Sequence, residues 1–247
     1  MKRVAIVTGV SKGLGEALAA ALLARGWEVT GIGRGASARL AAAAPAFRLV
    51  ACDFAAIDGV DAVLAPAFAA IAAARPAAVC LVNNAATAEP VGVAGGLDAA
   101  ALVRALGVNL AAPAVVANAF VRHCVNAAAG ADCRVVNVSS GLAARAVPGA
   151  GAYSIAKAGL EMLTKMLDAD VAAPSFRAIT LRPGIIDTPM QEFMRARSDA
   201  EMPSAPMFRE FHASGRLADP DVLAARIVSR LIESPVERGR TYDATEL

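Results

Sequence analysis

Tyr153 and Lys157 stand four residues apart in Tyr153-Ser154-Ile155-Ala156-Lys157, inside a stretch whose pattern predicts a helix over 153–171. Residues i and i+4 share one face of a helix, so the phenol and the ammonium point the same way. A free tyrosine titrates at about 10. A neighbouring cation favours the tyrosinate and lowers that value. Such a tyrosine can hand a proton to a carbonyl oxygen, or take one back in the reverse reaction. The chain has only two tyrosines, so an accidental placement is harder to invoke. Upstream, Val135-Val136-Asn137-Val138-Ser139-Ser140 reads as a buried strand that ends in two hydroxyls. Ligand crevices of open α/β sheets lie at the carboxyl ends of strands, where Ser140 could bond the same oxygen.

A second constellation lies near the start. Thr8-Gly9-Val10-Ser11-Lys12-Gly13-Leu14-Gly15 follows an apolar run and opens a predicted helix. Glycines there permit a tight turn and close backbone approach, and the free N–H groups of the helix start bind a pyrophosphate. The spacing is neither the usual dinucleotide fingerprint nor a Walker A loop, which needs Gly-Lys-Ser/Thr. NAD sites place a carboxylate after the second strand to hold the ribose 2′-OH. Here that strand ends Gly31-Ile32-Gly33-Arg34, with no acid in reach. Arg34 can fork onto a 2′-phosphate and Lys12 can approach it from the turn, which favours NADP.

These groups need elements to hold them. Apolar or β-branched runs at 4–7, 28–32, 47–52, 78–82, 134–138 and 176–181 read as strands, and 241–243 as the end of a last one. Helices are predicted at 13–25, 37–44, 57–74, 97–108, 112–128, 153–171 and 220–232. Unalternating apolar strands separated by helices imply a parallel sheet buried on both faces. Right-handed crossovers make it a doubly wound α/β sheet of seven strands, here one domain over 1–247. Residues 183–215 break the alternation with four prolines and a set of Met and Phe residues. They read as an irregular connection with a short helix near 191–197, and its apolar content predicts a substrate lid at about 185–215.

Composition sets the outer limits. Hydrophobic residues make up 57% of the 247 and charged residues 19%, which excludes a disordered chain. A net charge of +2 without a Lys/Arg stripe points away from nucleic acid. Cys52, Cys80, Cys124 and Cys133 show no CxxC spacing and read as buried thiols of a reducing compartment. His123 and His212 lack metal-ligand neighbours, so no metal site and no Ser-His-Asp chemistry is expected. The longest uncharged stretch, 105–121, carries Asn109, Pro113 and Asn118 and is shorter than the roughly 20 apolar residues of a span. The N-terminal apolar run is short and leads into the glycine turn, as a strand does and a signal peptide does not. A cytoplasmic protein without a membrane association is expected.

Taken together, the motifs resemble the short-chain dehydrogenases/reductases over essentially the full length. The resemblance also rests on Asp53-Phe54, on Leu81-Val82-Asn83-Asn84-Ala85, on Asn109 and on Pro183-Gly184-Ile185-Ile186-Asp187-Thr188. It implies a Rossmann fold, an NADP(H) cofactor, and Tyr153 as acid/base with Lys157 lowering its pKa and binding the nicotinamide ribose. Ser140 would orient the carbonyl, and Asn109 would hold a water that relays protons to Lys157. It further implies that Gly9, Ser11, Lys12, Gly13, Leu14 and Gly15 cradle the phosphates. Asp53 and Phe54 would border the adenine, Asn83 and Ala85 the adenosine ribose side. Pro183, Ile186 and Thr188 would flank the carboxamide. Ala86 departs from the glycine usual in that family.

Within the family, Pro189-Met190-Gln191, Gly215-Arg216-Leu217 and Ala218-Asp219-Pro220 resemble the sepiapterin reductase branch, including its bacterial benzil-reductase-like members. That branch implies an aryl ketone, a 1,2-diketone or a pterin carbonyl as substrate, with Asp243 or Glu246 as a pterin ligand. Reduction of a 3-oxoacyl or sugar carbonyl, or a catalytically silent NADPH sensor, are the alternatives. The family also implies a homodimer or homotetramer built on the helices at 112–128 and 153–171.

Overall fold

The computed structural model describes residues 2–126 and 130–247. Seven strands form one parallel sheet: β1 (Arg3–Thr8), β2 (Glu28–Gly33), β3 (Phe47–Ala51), β4 (Ala78–Asn83), β5 (Asp132–Val138), β6 (Phe176–Arg182) and β7 (Thr241–Asp243). Their spatial order is β3-β2-β1-β4-β5-β6-β7. The winding therefore reverses between β1 and β4, the place where doubly wound sheets open their ligand crevice.

The helices are α1 (Gly13–Ala24), α2 (Ala38–Ala41), α3 (Val60–Ala73), α4 (Ala99–Leu106), α5 (Ala112–Phe120), α6 (Gly151–Asp170), α7 (Pro189–Arg195), α8 (Ala205–Ala213) and α9 (Pro220–Ile227). Strand β1 shows why the sheet needs cover on both faces. Val4 and Ile6 join a core with Leu64 and Phe68 of α3 and Val116 and Phe120 of α5. Ala5 and Val7 point the other way, into a core with Leu18 and Leu22 of α1 and Leu223 and Ile227 of α9. Side chains alternate along a strand, so an unbroken apolar run fills both layers.

The structure merges the two helices expected at 97–108 and 112–128. Ala99–Val125 is one continuous helical run. Pro113 does not break it, because it stands in the first turn of α5, after a wider-turned segment at Gly107–Ala111. The expected residues 127 and 128 lie outside the described residues. By length and composition alone this merged run could cross a membrane, unlike the shorter uncharged stretch read from the sequence. Here α5 buries Val116, Ala117, Ala119 and Phe120 against the sheet and α3.

The expected irregular stretch is also corrected: it holds two helices, α7 and α8. Pro189 and Pro206 looked like breakers but occupy the first turns of these helices, where a missing N–H costs nothing. Thr188 caps α7 by accepting from the Gln191 N–H. Met194, Met202, Ala205 and Phe208 form a small core with Ala88 and Ala150.

Candidate active site

The carboxyl ends of the central strands open into a cleft of about 580 Å³. One end is built by the turn between β1 and α1. Gly9 has φ +74°, and a Cβ on it would stand 2.8 Å from the Ala85 Cα. Helix α1 starts without a side-chain cap, since Lys12 at that place carries an ammonium with no lone pair to accept from the helix N–H groups. Its first N–H groups therefore remain free for an anion. Gly9, Ser11, Lys12, Gly13 and Leu14 all line the cleft. Arg34 lines it from the end of β2, exposed and paired with no carboxylate among the described residues. These groups suit a dinucleotide.

Gly15 does not line the cleft, contrary to the sequence expectation. A Cβ there would lie 2.2 Å from the Gly9 carbonyl oxygen and 2.3 Å from the Asn84 Nδ2. Gly15 is a contact glycine that lets α1 approach the turn behind it. Asn84 completes the joint by donating to the carbonyls of Thr8 at 3.0 Å and Gly9 at 3.3 Å. The Thr8 hydroxyl accepts from the N–H groups of Asn84 and Ala85, both at 2.9 Å.

Asp53, Phe54 and Ala85 line the same half of the cleft, and the Asp53 carboxylate accepts from the Ala55 N–H at 3.0 Å. Asn83 does not line it. Its side chain points into the interior and donates to the Asn137 Oδ1 at 2.9 Å, which continues to Thr164 of α6. The expectation picked the wrong asparagine of the pair, because adjacent residues at a strand end face opposite ways. Asn84 is the cleft residue. Ala86 sits in ordinary backbone, since Arg75 is the only non-glycine with positive φ among the described residues. That is why alanine serves where a glycine was expected.

The other half gathers Ser140, Tyr153 and Lys157. Ser140 follows the end of β5, half-buried, with its hydroxyl accepting from the Leu142 N–H at 3.2 Å. Tyr153 and Lys157 lie in the first two turns of α6, and the ammonium stands 5.5 Å from the phenol ring centre. Lys157 donates to the Val138 carbonyl at 2.6 Å. Burial pushes Tyr153 up to about 12, against the pull of a hydrogen bond with Ser140. Burial likewise takes Lys157 down to about 8. The spacing argument anticipated a lowered tyrosine; in the folded chain the loss of water around the phenol outweighs its neighbours.

Asn109 is fully buried and not part of the cleft wall. Its amide is taken at both ends by Thr87, accepting from the N–H and donating to the carbonyl, each at 2.8 Å. It pins the loop after β4. Pro183, Ile186 and Thr188 line the cleft. The apolar wall opposite is Leu142, Met190, Met194 and Phe208, joined by Gln191, which the sequence reading gave no role in the site. Gln191 is buried and donates to the Phe208 carbonyl at 2.8 Å, tying α7 to α8. Asp243 and Glu246 do not line the cleft; they pair with Arg182 and Arg240.

Comparison with known proteins agrees with this geometry. Residues 3–199 match the family described as short chain dehydrogenase. The benzil reductase ((S)-benzoin forming) of Bacillus subtilis (strain 168) is 31% identical over 98% of both chains. The sepiapterin reductase of Meriones unguiculatus is 30% identical over 97% of this chain and 95% of its own. Among solved structures, the 3-ketoacyl-(acyl-carrier-protein) reductase of Brucella melitensis complexed with NADH superposes with TM-score 0.78. It is 27% identical and covers 98% of this chain and 96% of its own.

Proposed function

This chain belongs to the short-chain dehydrogenase family of oxidoreductases, and from that premise we propose that it is an NADPH-dependent reductase of ketones, with 1,2-diketones as the preferred class. The observation that carries the reading is the convergence of Ser140, Tyr153 and Lys157 in one cleft with an uncapped helix N-terminus. A nicotinamide cofactor fits the residues present. Residues 9–14 would hold its phosphates, Asp53, Phe54 and Ala85 its adenosine, and Lys157, Pro183, Ile186 and Thr188 its nicotinamide end. Arg34 and Lys12 favour a 2′-phosphate over a bare ribose. When bound, the reduced cofactor supplies the hydride that reaches the carbonyl carbon.

The chain supplies position and a proton. Ser140 holds the carbonyl oxygen by its hydroxyl. Tyr153, kept protonated by burial, donates its proton to the same oxygen as negative charge develops there. The Lys157 ammonium beside the ring stabilises the tyrosinate left behind. Asn109 keeps the Thr87 loop in place beneath the cleft. Leu142, Met190, Met194 and Phe208 offer a polarisable apolar wall suited to a flat aryl ligand. With Asp243 and Glu246 turned away to arginines, no acid of the tail is placed to hold a pterin.

We assign α7 and α8 as the lid over this half. A homodimer or homotetramer is proposed; α5, expected to pair with α6, buries most of its apolar residues inside the chain, so the exposed Val103 of α4 and Ile155, Met162 and Met166 of α6 support the interface instead. The test of function is NADPH and NADH oxidation with benzil and with sepiapterin, beside a Tyr153→Phe control. Rapid NADPH loss with benzil, abolished in the control, is the expected result. Equal rates in the control would overturn the acid/base assignment, and a preference for sepiapterin would overturn the diketone assignment.

A further inference from the structure

The mechanism leaves Glu161, the acidic side chain of the active-site helix nearest Tyr153 and Lys157, unused. Glu161 lies one turn beyond Lys157 and two beyond Tyr153, on the same side of α6. Its carboxylate is largely shielded, with 16% of the side chain exposed. Oε1 accepts from the Ser139 hydroxyl at 2.8 Å and from the Arg182 Nε at 2.8 Å, while Oε2 accepts from the Arg182 Nη2 at 2.8 Å. The arginine contact is thus a two-pronged fork, which fixes orientation as well as distance.

The partners matter for where they stand. Ser139 immediately precedes Ser140, and Arg182 immediately precedes Pro183-Gly184 of the cleft wall. The two strand ends also meet each other, since the Ser139 N–H donates to the Leu181 carbonyl at 2.7 Å. Two more contacts sew the same point of β5 to α6. Lys157 donates to the Val138 carbonyl at 2.6 Å, and the Ser139 hydroxyl also approaches the Lys157 carbonyl at 3.4 Å. Burial pushes the Glu161 carboxyl up, but hydrogen bonds from Arg182 and Ser139 and the arginine charge outweigh it and keep it ionised.

We propose that Glu161 is a positioning residue: it clamps the ends of β5 and β6 onto α6 and so sets the Ser140 hydroxyl and the Pro183-Gly184 wall relative to Tyr153 and Lys157. The use made of that geometry rests on the reductase reading above. Glu161 touches neither substrate nor cofactor; it acts through Ser139 and Arg182. Displacements of about 1 Å at a reacting centre can cost up to about a hundredfold in rate.

The test uses the full chain, NADPH and benzil. Glu161→Gln keeps the size but loses the fork. It is expected to lower kcat at least about tenfold while the KM for NADPH stays within about threefold. In a Ser140→Ala background the same change is expected to cost less than about threefold, because the hydroxyl it misplaces is gone. A full additive loss in that background would reduce Glu161 to a general brace and overturn the proposal. Amide hydrogen exchange supplies a readout without turnover. Exchange at 138–141 and 182–186 is expected to quicken at least about tenfold in Glu161→Gln, with the rest of the sheet unchanged. If the parent reduces no carbonyl but exchange rises at those ends alone, the reductase reading fails and the clamp stands. If the parent is active and Glu161→Gln matches it in kcat and exchange, the clamp fails and the reading stands. Ser139→Ala, which removes one contact of the three, carries the same measurements should Glu161→Gln fold poorly.

Discussion

Substituting Gly15 by alanine puts a single methyl group into the joint that shapes the phosphate end of the cleft. That methyl would sit 2.2 Å from the Gly9 carbonyl oxygen and 2.3 Å from the Asn84 Nδ2. The carbonyl belongs to the backbone and cannot rotate away, so the turn and the start of α1 must part by roughly 1 Å. Overpacking of this kind costs about 1–3 kcal/mol. Asn84 would lose its bonds to the Thr8 and Gly9 carbonyls, at about 1 kcal/mol each. Against this, alanine gains about 1 kcal/mol of helix propensity over glycine. The net loss is about 2–4 kcal/mol, which lowers Tm by roughly 5–15 °C in a chain of this length. The same displacement moves the N–H groups that face the phosphates, and NADPH affinity should fall by about a hundredfold. Thermal unfolding by circular dichroism and a fluorescence titration with NADPH measure both. Gly59→Ala, with open space around its Cβ, is the neutral control. A Gly15→Ala protein with Tm within about 2 °C of the parent and affinity within about threefold would refute the joint described above.

Arg34→Ala should raise the KM for NADPH about tenfold or more while leaving NADH within about twofold, because only the 2′-phosphate needs the guanidinium; equal effects on the two cofactors would sink its assignment. Lys157→Met should abolish turnover yet stabilise the protein at pH 7. The lysine's folded pKa of about 8 lies below its usual 10.5, so its contribution to stability is full above the unfolded value and is lost as pH falls through about 8. Deducting the lost bond to the Val138 carbonyl leaves a gain of about 1–2 kcal/mol at pH 7 that vanishes towards pH 11. Denaturant unfolding across that range reads the crossover, and a gain that does not change with pH would contradict it. Glu233 accepts from Arg3, Arg25 and the Trp27 indole, fastening the ends of β1, α1 and the last helix together. Burial raises its carboxyl, but the indole bond and the two arginines win and hold it low. Its stabilising effect is present above the ordinary glutamate range and lost as pH falls through the depressed value. Glu233→Gln should cost no more than about 1 kcal/mol at pH 7, the arginines being solvent-screened, and should flatten the acid limb of the stability profile measured by urea unfolding.

The fold was legible because its signal is local and repeated. The Val- and Ile-rich runs that form the centre of the sheet are too apolar for a one-sided sheet and demand helices on both faces, and the structure has them. The meeting of Ser140, Tyr153 and Lys157 in one cleft was legible because spacing on a helix and the end of a strand are themselves geometric statements. Prolines were misread where their position in a helix mattered more than their identity. Pro189 and Pro206 sit in first turns where no N–H is needed, Pro113 follows a wide turn inside a longer helical run, and a linear scan has no means of seeing where a helix will begin.

By itself the sequence determined the parallel sheet, the glycine turn at its first crossover, the missing acid beside Arg34 and the common face of Tyr153 and Lys157. Only the tertiary structure decided which asparagine of the pair faces the cleft and that Gly15 serves contact rather than ligand. It alone turned the tail acids towards arginines, and it alone brought Glu161 within reach of two strand ends. Periodicity and turn chemistry act between near neighbours along the chain. The direction of a side chain at a strand end, the burial that moves a pKa, and a contact between residues 21 apart such as Glu161 and Arg182 exist only once the layers have packed.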